Sequence, residues 1–320
     1  MKRLLIFLTI ISLLMVCGIG MAETGQKAIA EIRLSIEKSA FSKETKTSLL
    51  DKVNNAVNAG IQPDDIVIIV SRGLRQNIDG KAIEGFIDIA VKVKNQNLPV
   101  RPVLDRIQQG LSKGVPSERI LNVANTLAEK LNSANTIINN LIKEGIKVRN
   151  TRERQEAIVT VARAMERSIP EEIITQTGIK VRKHNYSLSM FDKAIDTMTN
   201  LVGSGMRVEQ ASKLVNKAMD KGYSERDMLR MEREISIELK KGLRIEDAVK
   251  MMESVMERGG FDQGHRGVDG GQMRGIGSGM GGGSGMGGGS GMGGGSGMGG
   301  GSGMGGGSGT GSGSGMGGGR

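Results

Sequence analysis

Five thioethers near the C-terminus are evenly spaced: Met280, Met286, Met292, Met298 and Met304 each sit second in a Gly-Met-Gly-Gly-Gly-Ser hexapeptide that begins at Gly279. Thioether sulfur is a soft donor suited to Cu(I), so a tail of this kind on an exported protein could collect copper. Each methionine is isolated by five small residues, however, and His265 is the only imidazole nearby. A solvated spacer or an adhesive tail accounts for the same residues.

Cations suggest a second chemistry. Arg72 and Arg75 lie 108 residues before Lys180 and Lys183, with Arg182 and His184 beside the later pair. A basic face built from Arg72, Arg75, Lys180, Arg182 and Lys183 would attract phosphate or carboxylate polymers. Charged residues on a merely solvated surface are the plainer alternative. Lys147, Arg149, Arg152 and Arg154 form a further basic run. Tyr186 is a poor stacking platform on its own, which argues against nucleic acid as the partner.

Carboxylates offer less. Asp64 with Asp65 and Glu171 with Glu172 are adjacent pairs that open helices, where the positive end of the helix dipole favours them without any catalytic role. No Gly-x-Ser-x-Gly elbow, phosphate loop or His-Glu-x-x-His motif occurs, and the Gly-x-Gly strings of the tail follow no strand. No enzyme activity and no cofactor are expected from these residues.

The elements that must position the side chains are set by joints of the form Gly60-Ile61-Gln62-Pro63-Asp64-Asp65. A glycine in the left-handed conformation ends one helix, the next apolar residue packs back on it, and proline with acidic residues starts the following helix. Related joints stand at Gly114-Val115, Gly145-Ile146, Ser168-Ile169, Gly205-Met206, Gly222-Tyr223 and Gly242-Leu243. Between them apolar residues recur at helical spacing, as in Leu49, Leu50, Val53, Ala56 and Val57. Ile66 to Val70 is rich in β-branched residues but has no neighbouring strand or hairpin signal, so it reads as a buried helix.

Displacing the chain by about 108 residues sets Leu49, Val53 and Val57 on Ala157, Val161 and Met165, and Gly114, Leu121 and Leu131 on Gly222, Leu229 and Leu239. The fold expected is therefore all-α, an array of antiparallel helical hairpins resembling an α-solenoid. Its two approximate copies, 39–146 and 147–254, would hold about six helices each. A compact two-lobed helical domain is the other possibility.

The 320 residues, with a formal charge of +10, divide into three unlike segments. Residues 1–22 carry Lys2 and Arg3, an apolar run from Leu4 to Val16, and small residues Gly20 and Ala22, the pattern of a secretory signal. Cys17 is the only cysteine, and a lipoprotein box around it would carry Val16 where a small residue is expected. Cleavage after Ala22 leaves no thiol, which excludes disulfides, thiolate metal sites and cysteine nucleophiles from the mature chain. The body, 23–258, has few aromatics, so its core must be Ile, Leu, Val, Ala and Met. The tail, 259–320, holds 35 of the 50 glycines and is expected to be disordered. Together these features predict an exported, periplasmic or secreted scaffold, with no membrane span after cleavage, that binds an envelope protein or anionic polymer.

Overall fold

The computed structural model describes residues 27–259, and these form an all-α protein. The leader, Cys17 and the Gly/Met/Ser tail beyond Gly259 lie outside the described residues. The helices are α1 (27–37), α2 (Lys43–Asn58), α3 (Pro63–Arg75), α4 (Gly80–Asn95), α5 (Arg101–Ser112) and α6 (Ser117–Lys143). They continue with α7 (Thr151–Glu166), α8 (Glu171–Lys183), α9 (Leu188–Gly203), α10 (Val208–Asp220), α11 (Glu225–Lys240) and α12 (Ile245–Glu257). The Ile66–Val70 run is helical, lying within α3 with Ile66, Ile69 and Val70 buried.

Each of the seven joints read from the sequence contains its left-handed residue, from Gly60 at φ +83° to Ser168 at φ +60°. Three more are made by asparagine: Asn77, Asn97 and Asn185, with φ between +54° and +56°. Asparagine tolerates this region better than other residues with a Cβ. After nine of these ten turns the following amide reaches back to close the helix. Ile61 N–H donates to Ala56 C=O at 3.0 Å, Ile78 to Gly73 at 3.0 Å and Leu98 to Val93 at 3.2 Å, the Schellman pattern of helix ends.

Adding the asparagine turns exposes a shorter period. Gly60 and Asn97 are 37 residues apart, as are Asn77 and Gly114, Ser168 and Gly205, Gly205 and Gly242, and Asn185 and Gly222. Helix lengths alternate to match: α2, α4, α7, α9 and α11 have 16 residues, while α3, α8, α10 and α12 have 13 and α5 has 12. Two steps of 37 and one of 34 separate the starts of α2 and α7, which is why displacement by 108 aligned the sequence with itself.

One station breaks the pattern. The position 37 residues after Asn97 is Ala134, and there α6 runs on for 27 residues without a turn. The station itself is Ala134, a residue of the highest helix propensity and buried here, which favours continuing the helix. Residues 39–146 consequently hold five helices rather than the six expected.

By compactness the described residues form two units. One runs up to Gly203 and includes Arg207–Asn216; the other combines Ser204–Met206 with the residues from Lys217 onward. Within the first, α2 packs on α4, α3 on α5, α4 on α6, α6 on α8 and α7 on α9. Polar side chains stitch positions about one period apart: Lys52 to Asp88 at 2.7 Å, Arg101 to Asp65 at 2.9 Å, and Arg72 to the Gln108 carbonyl at 3.2 Å. Close backbone approach recurs on the same step. A Cβ on Gly73 would lie 2.7 Å from Ile83 Cδ1, and one on Gly110 2.7 Å from Ile120 Cγ1. In the second unit α11 packs on α12, and Lys217 bridges Glu257 at 2.9 Å.

Candidate functional site

The five cations singled out from the sequence fall in two places. Arg72 and Arg75 occupy the last turn of α3, whose main neighbours are α2, α4 and α5; Lys180, Arg182 and Lys183 occupy the last turn of α8, which packs on α6 and α9. Arg72 is committed to α5, donating to the Gln108 carbonyl and to Ser112 Oγ. Gln76 beside it donates to the Leu111 carbonyl. These groups add side-chain donors to carbonyls in the last turns of a neighbouring helix. Arg75 is exposed, with its Nε on the Ser71 carbonyl of its own helix at 3.2 Å. The α3 station is thus largely structural.

At the end of α8 the picture differs, because the structure joins two basic runs. Lys147, in the loop after α6, forms an isolated parallel bridge with Ser187, in the loop after α8, and the Leu188 amide donates to the Lys147 carbonyl at 2.9 Å. This places Lys143, Lys147 and Arg149 on or beside one loop and Arg182, Lys183 and His184 on or beside the other, all of them exposed. Arg182 pairs with Glu144 at 2.7 Å, an ion pair that ties α8 to the end of α6. Arg149 pairs with Glu153 at 3.1 Å. Lys143, Lys147 and Lys183 have no carboxylate partner among the described residues. His184 stacks on Tyr186 with ring centroids 5.6 Å apart.

Glu153 holds this end together. It is buried in the first turn of α7, where its own amide donates to Asn150 Oδ1 at 3.0 Å. Its carboxylate accepts the Arg149 amide at 2.5 Å and the Arg149 guanidinium at 3.1 Å. Burial pushes the carboxyl up, but the Arg149 amide and guanidinium and the Ser189 amide outweigh it and hold Glu153 below the usual carboxylate range. Arg152 and Arg154, the rest of that basic run, are engaged with Glu156 at 2.8 Å and with Asn139 at 2.9 Å.

Two large apolar side chains are left exposed beside the lysines. Val148 follows Lys147 and is 37% accessible; Ile179 lies one turn before Arg182 and Lys183 on α8 and is 44% accessible. Helical spacing puts Ile179 on the face that carries both cations. The missed signal was Asn185, whose left-handed turn brings Ser187 back to Lys147.

The acidic pairs have structural settings. Asp65 is buried and accepts from Arg101 at 2.9 Å and from Gln108 at 3.4 Å, while Glu171 and Glu172 are exposed in the first turn of α8. Among the described residues no three His, Cys, Asp or Glu side chains converge as a metal site would require. A shallow, open hollow of about 330 Å³ lies where α6 passes the turn between α7 and α8, lined in part by Glu129, Lys130, Ser168 and Glu171. Lys130 is already bonded there to the Met165 carbonyl at 3.1 Å. Met280, Met286, Met292, Met298, Met304 and His265 lie outside the described residues.

Comparison of the chain with protein-family models, with curated proteins and with solved structures returns no match.

Proposed function

We propose that this is an exported, non-enzymatic helical-repeat scaffold that binds another component of the cell envelope through a basic surface. The observation that carries it is the pairing of the loops after α6 and α8, which gathers Lys143, Lys147 and Lys183 without matching carboxylates. A surface carrying one sign of charge attracts the opposite sign. Support for a repeat array comes from the 37-residue recurrence of left-handed turns and of helix lengths. Arrays of this type present extended surfaces of repeated stations, which suit macromolecular partners better than small molecules. Export is inferred from the pattern of residues 1–22.

A pull-down from envelope extract tests the proposal, using the chain from Glu23 to Arg320 beside a version ending at Arg258, each washed at low and high salt. A partner retained by both versions and released by salt is the expected result. A partner that disappears with the tail would overturn it, moving function to the Gly/Met/Ser repeat.

A further inference from the structure

We infer that the paired loops after α6 and α8 form a docking surface for an anionic lipid bilayer. The inference rests on the basic-surface scaffold proposed above and names the component that the surface meets.

The patch leaves positive charge unmatched. Lys143, Lys147 and Lys183 have no carboxylate partner among the described residues, whereas Arg149 and Arg182 are matched by Glu153 and Glu144. Positive charge alone would suit any polyanion. The apolar residues discriminate: among the described residues the large exposed hydrophobics are Leu34, Val123, Val148, Ile179 and Leu229, of which Val148 adjoins Lys147 and Ile179 lies one helical turn before Lys183. A soluble polyphosphate or acidic polysaccharide offers valine and isoleucine nowhere to go. A bilayer offers both phases at the required depths, with phosphate headgroups for the lysines and the acyl boundary for the apolar side chains. Lysine suits this arrangement, since its four-carbon stem can lie along apolar surface while the ammonium stays at the headgroups.

The local framework is firm enough to present such a surface. The backbone bridge between Lys147 and Ser187, the Arg182–Glu144 pair and the three-way anchoring of Glu153 fix both loops to the ends of α6, α7 and α8. Docking then loses little conformational freedom in the protein, so a few lysines and two aliphatic side chains suffice for reversible, salt-sensitive binding. No helix among the described residues is long and apolar enough to cross a membrane. Attachment here is a matter of lying on a surface.

The test is co-sedimentation of the chain from Glu23 to Arg320 with vesicles of equal parts phosphatidylglycerol and phosphatidylcholine. Vesicles of phosphatidylcholine alone and soluble polyphosphate serve as comparisons. Two double variants are used, Lys147→Glu with Lys183→Glu, and Val148→Ser with Ile179→Ser; all four positions are exposed, and circular dichroism checks that both variants fold. The expected result is binding to the phosphatidylglycerol vesicles that falls by about tenfold or more with the charge-reversed pair. The serine pair should weaken vesicle binding severalfold and leave any polyphosphate binding unchanged. Phosphatidylglycerol binding unaffected by either double variant would overturn the inference. Polyphosphate binding as strong as vesicle binding and indifferent to the serine pair would also overturn it, while leaving recognition of an anionic envelope component standing. Binding to neither anion would remove both.

Discussion

Helices α4 and α11 occupy corresponding positions 145 residues apart, one in each compact unit, and they fill those positions differently. Where α4 buries Ile83, Phe86 and Ala90, α11 buries Met228, Met231 and Ile235. Where α4 buries Ile89, α11 buries Glu234, whose Oε2 has no hydrogen-bond partner among the described residues. The second unit as a whole leans on methionine: Met206, Met219, Met228, Met231, Met252 and Met256 are all buried in it. Branched and aromatic side chains have few rotamers and specify one packing, while methionine fits itself to irregular space. The contrast shows how a period can be kept while its packing is relaxed. Joints and helix lengths repeat between the units, but the side chains between them need only be apolar and of suitable volume.

Substitution in the core should reveal that contrast most strongly. Phe86→Ala is expected to cost about 3–5 kcal/mol in urea unfolding. Met231→Ala should fall at the low end of about 2–5 kcal/mol, because neighbouring methionines can close part of the cavity. Equal costs would erase the distinction between the two cores.

Giving α11 the residue that α4 has is the next test. Glu234→Ile removes a buried, unpartnered oxygen and should raise stability by about 1 kcal/mol, read as a higher urea midpoint. A lower midpoint would mean that the carboxylate has a partner that matters.

The smallest effect concerns the corresponding station that reads Glu84 in α4, Asp192 in α9 and Leu229 in α11. Burial pushes the Asp192 carboxyl up, the Thr160 hydroxyl opposes this in part, and the neighbouring Asp196 adds to the rise. A raised folded value means that ionisation works against the fold. The penalty is present in full above that value and fades as pH falls through the ordinary carboxylate range. Asp192→Asn should therefore stabilise the protein slightly at neutral pH, with the gain vanishing in acid; a gain that persists in acid would point to packing instead. Glu153 has the opposite sign. Its lowered value contributes stability above the ordinary carboxylate range, which is lost as pH falls through the folded value. Glu153→Gln should remove that acid-sensitive part, measured as a flatter melting temperature between neutral and acid pH.

Much of the framework was legible beforehand. Gly60, Gly114, Gly145, Gly205, Gly222 and Gly242 announce helix ends because glycine enters the left-handed region at little cost. Asn77, Asn97 and Asn185 do the same work but announce it less plainly, since asparagine also serves at N-caps, as Asn150 does, and on exposed surfaces. Without them the period appeared as 108 rather than 37. The candidate site was legible only in part. Arg182 and Lys183 belong to it, whereas Arg72 and Arg75 belong to a different helix end, and Lys147 was noted in a run whose partner loop could not be guessed.

The amino-acid sequence by itself determined the helical class, the joints and the apolar stripes, because turn geometry and amphipathic spacing are local properties of a few neighbouring residues. Tertiary structure decided which charges are spent and which remain. Arg72 goes to the Gln108 carbonyl, Arg182 to Glu144 and Arg149 to Glu153, while Lys147 and Lys183 are left at paired loops. That choice depends on which side chains meet across 35 or more residues of chain or across a single turn, and a charge shows nothing of its partner until the backbone has brought the two within a few ångströms.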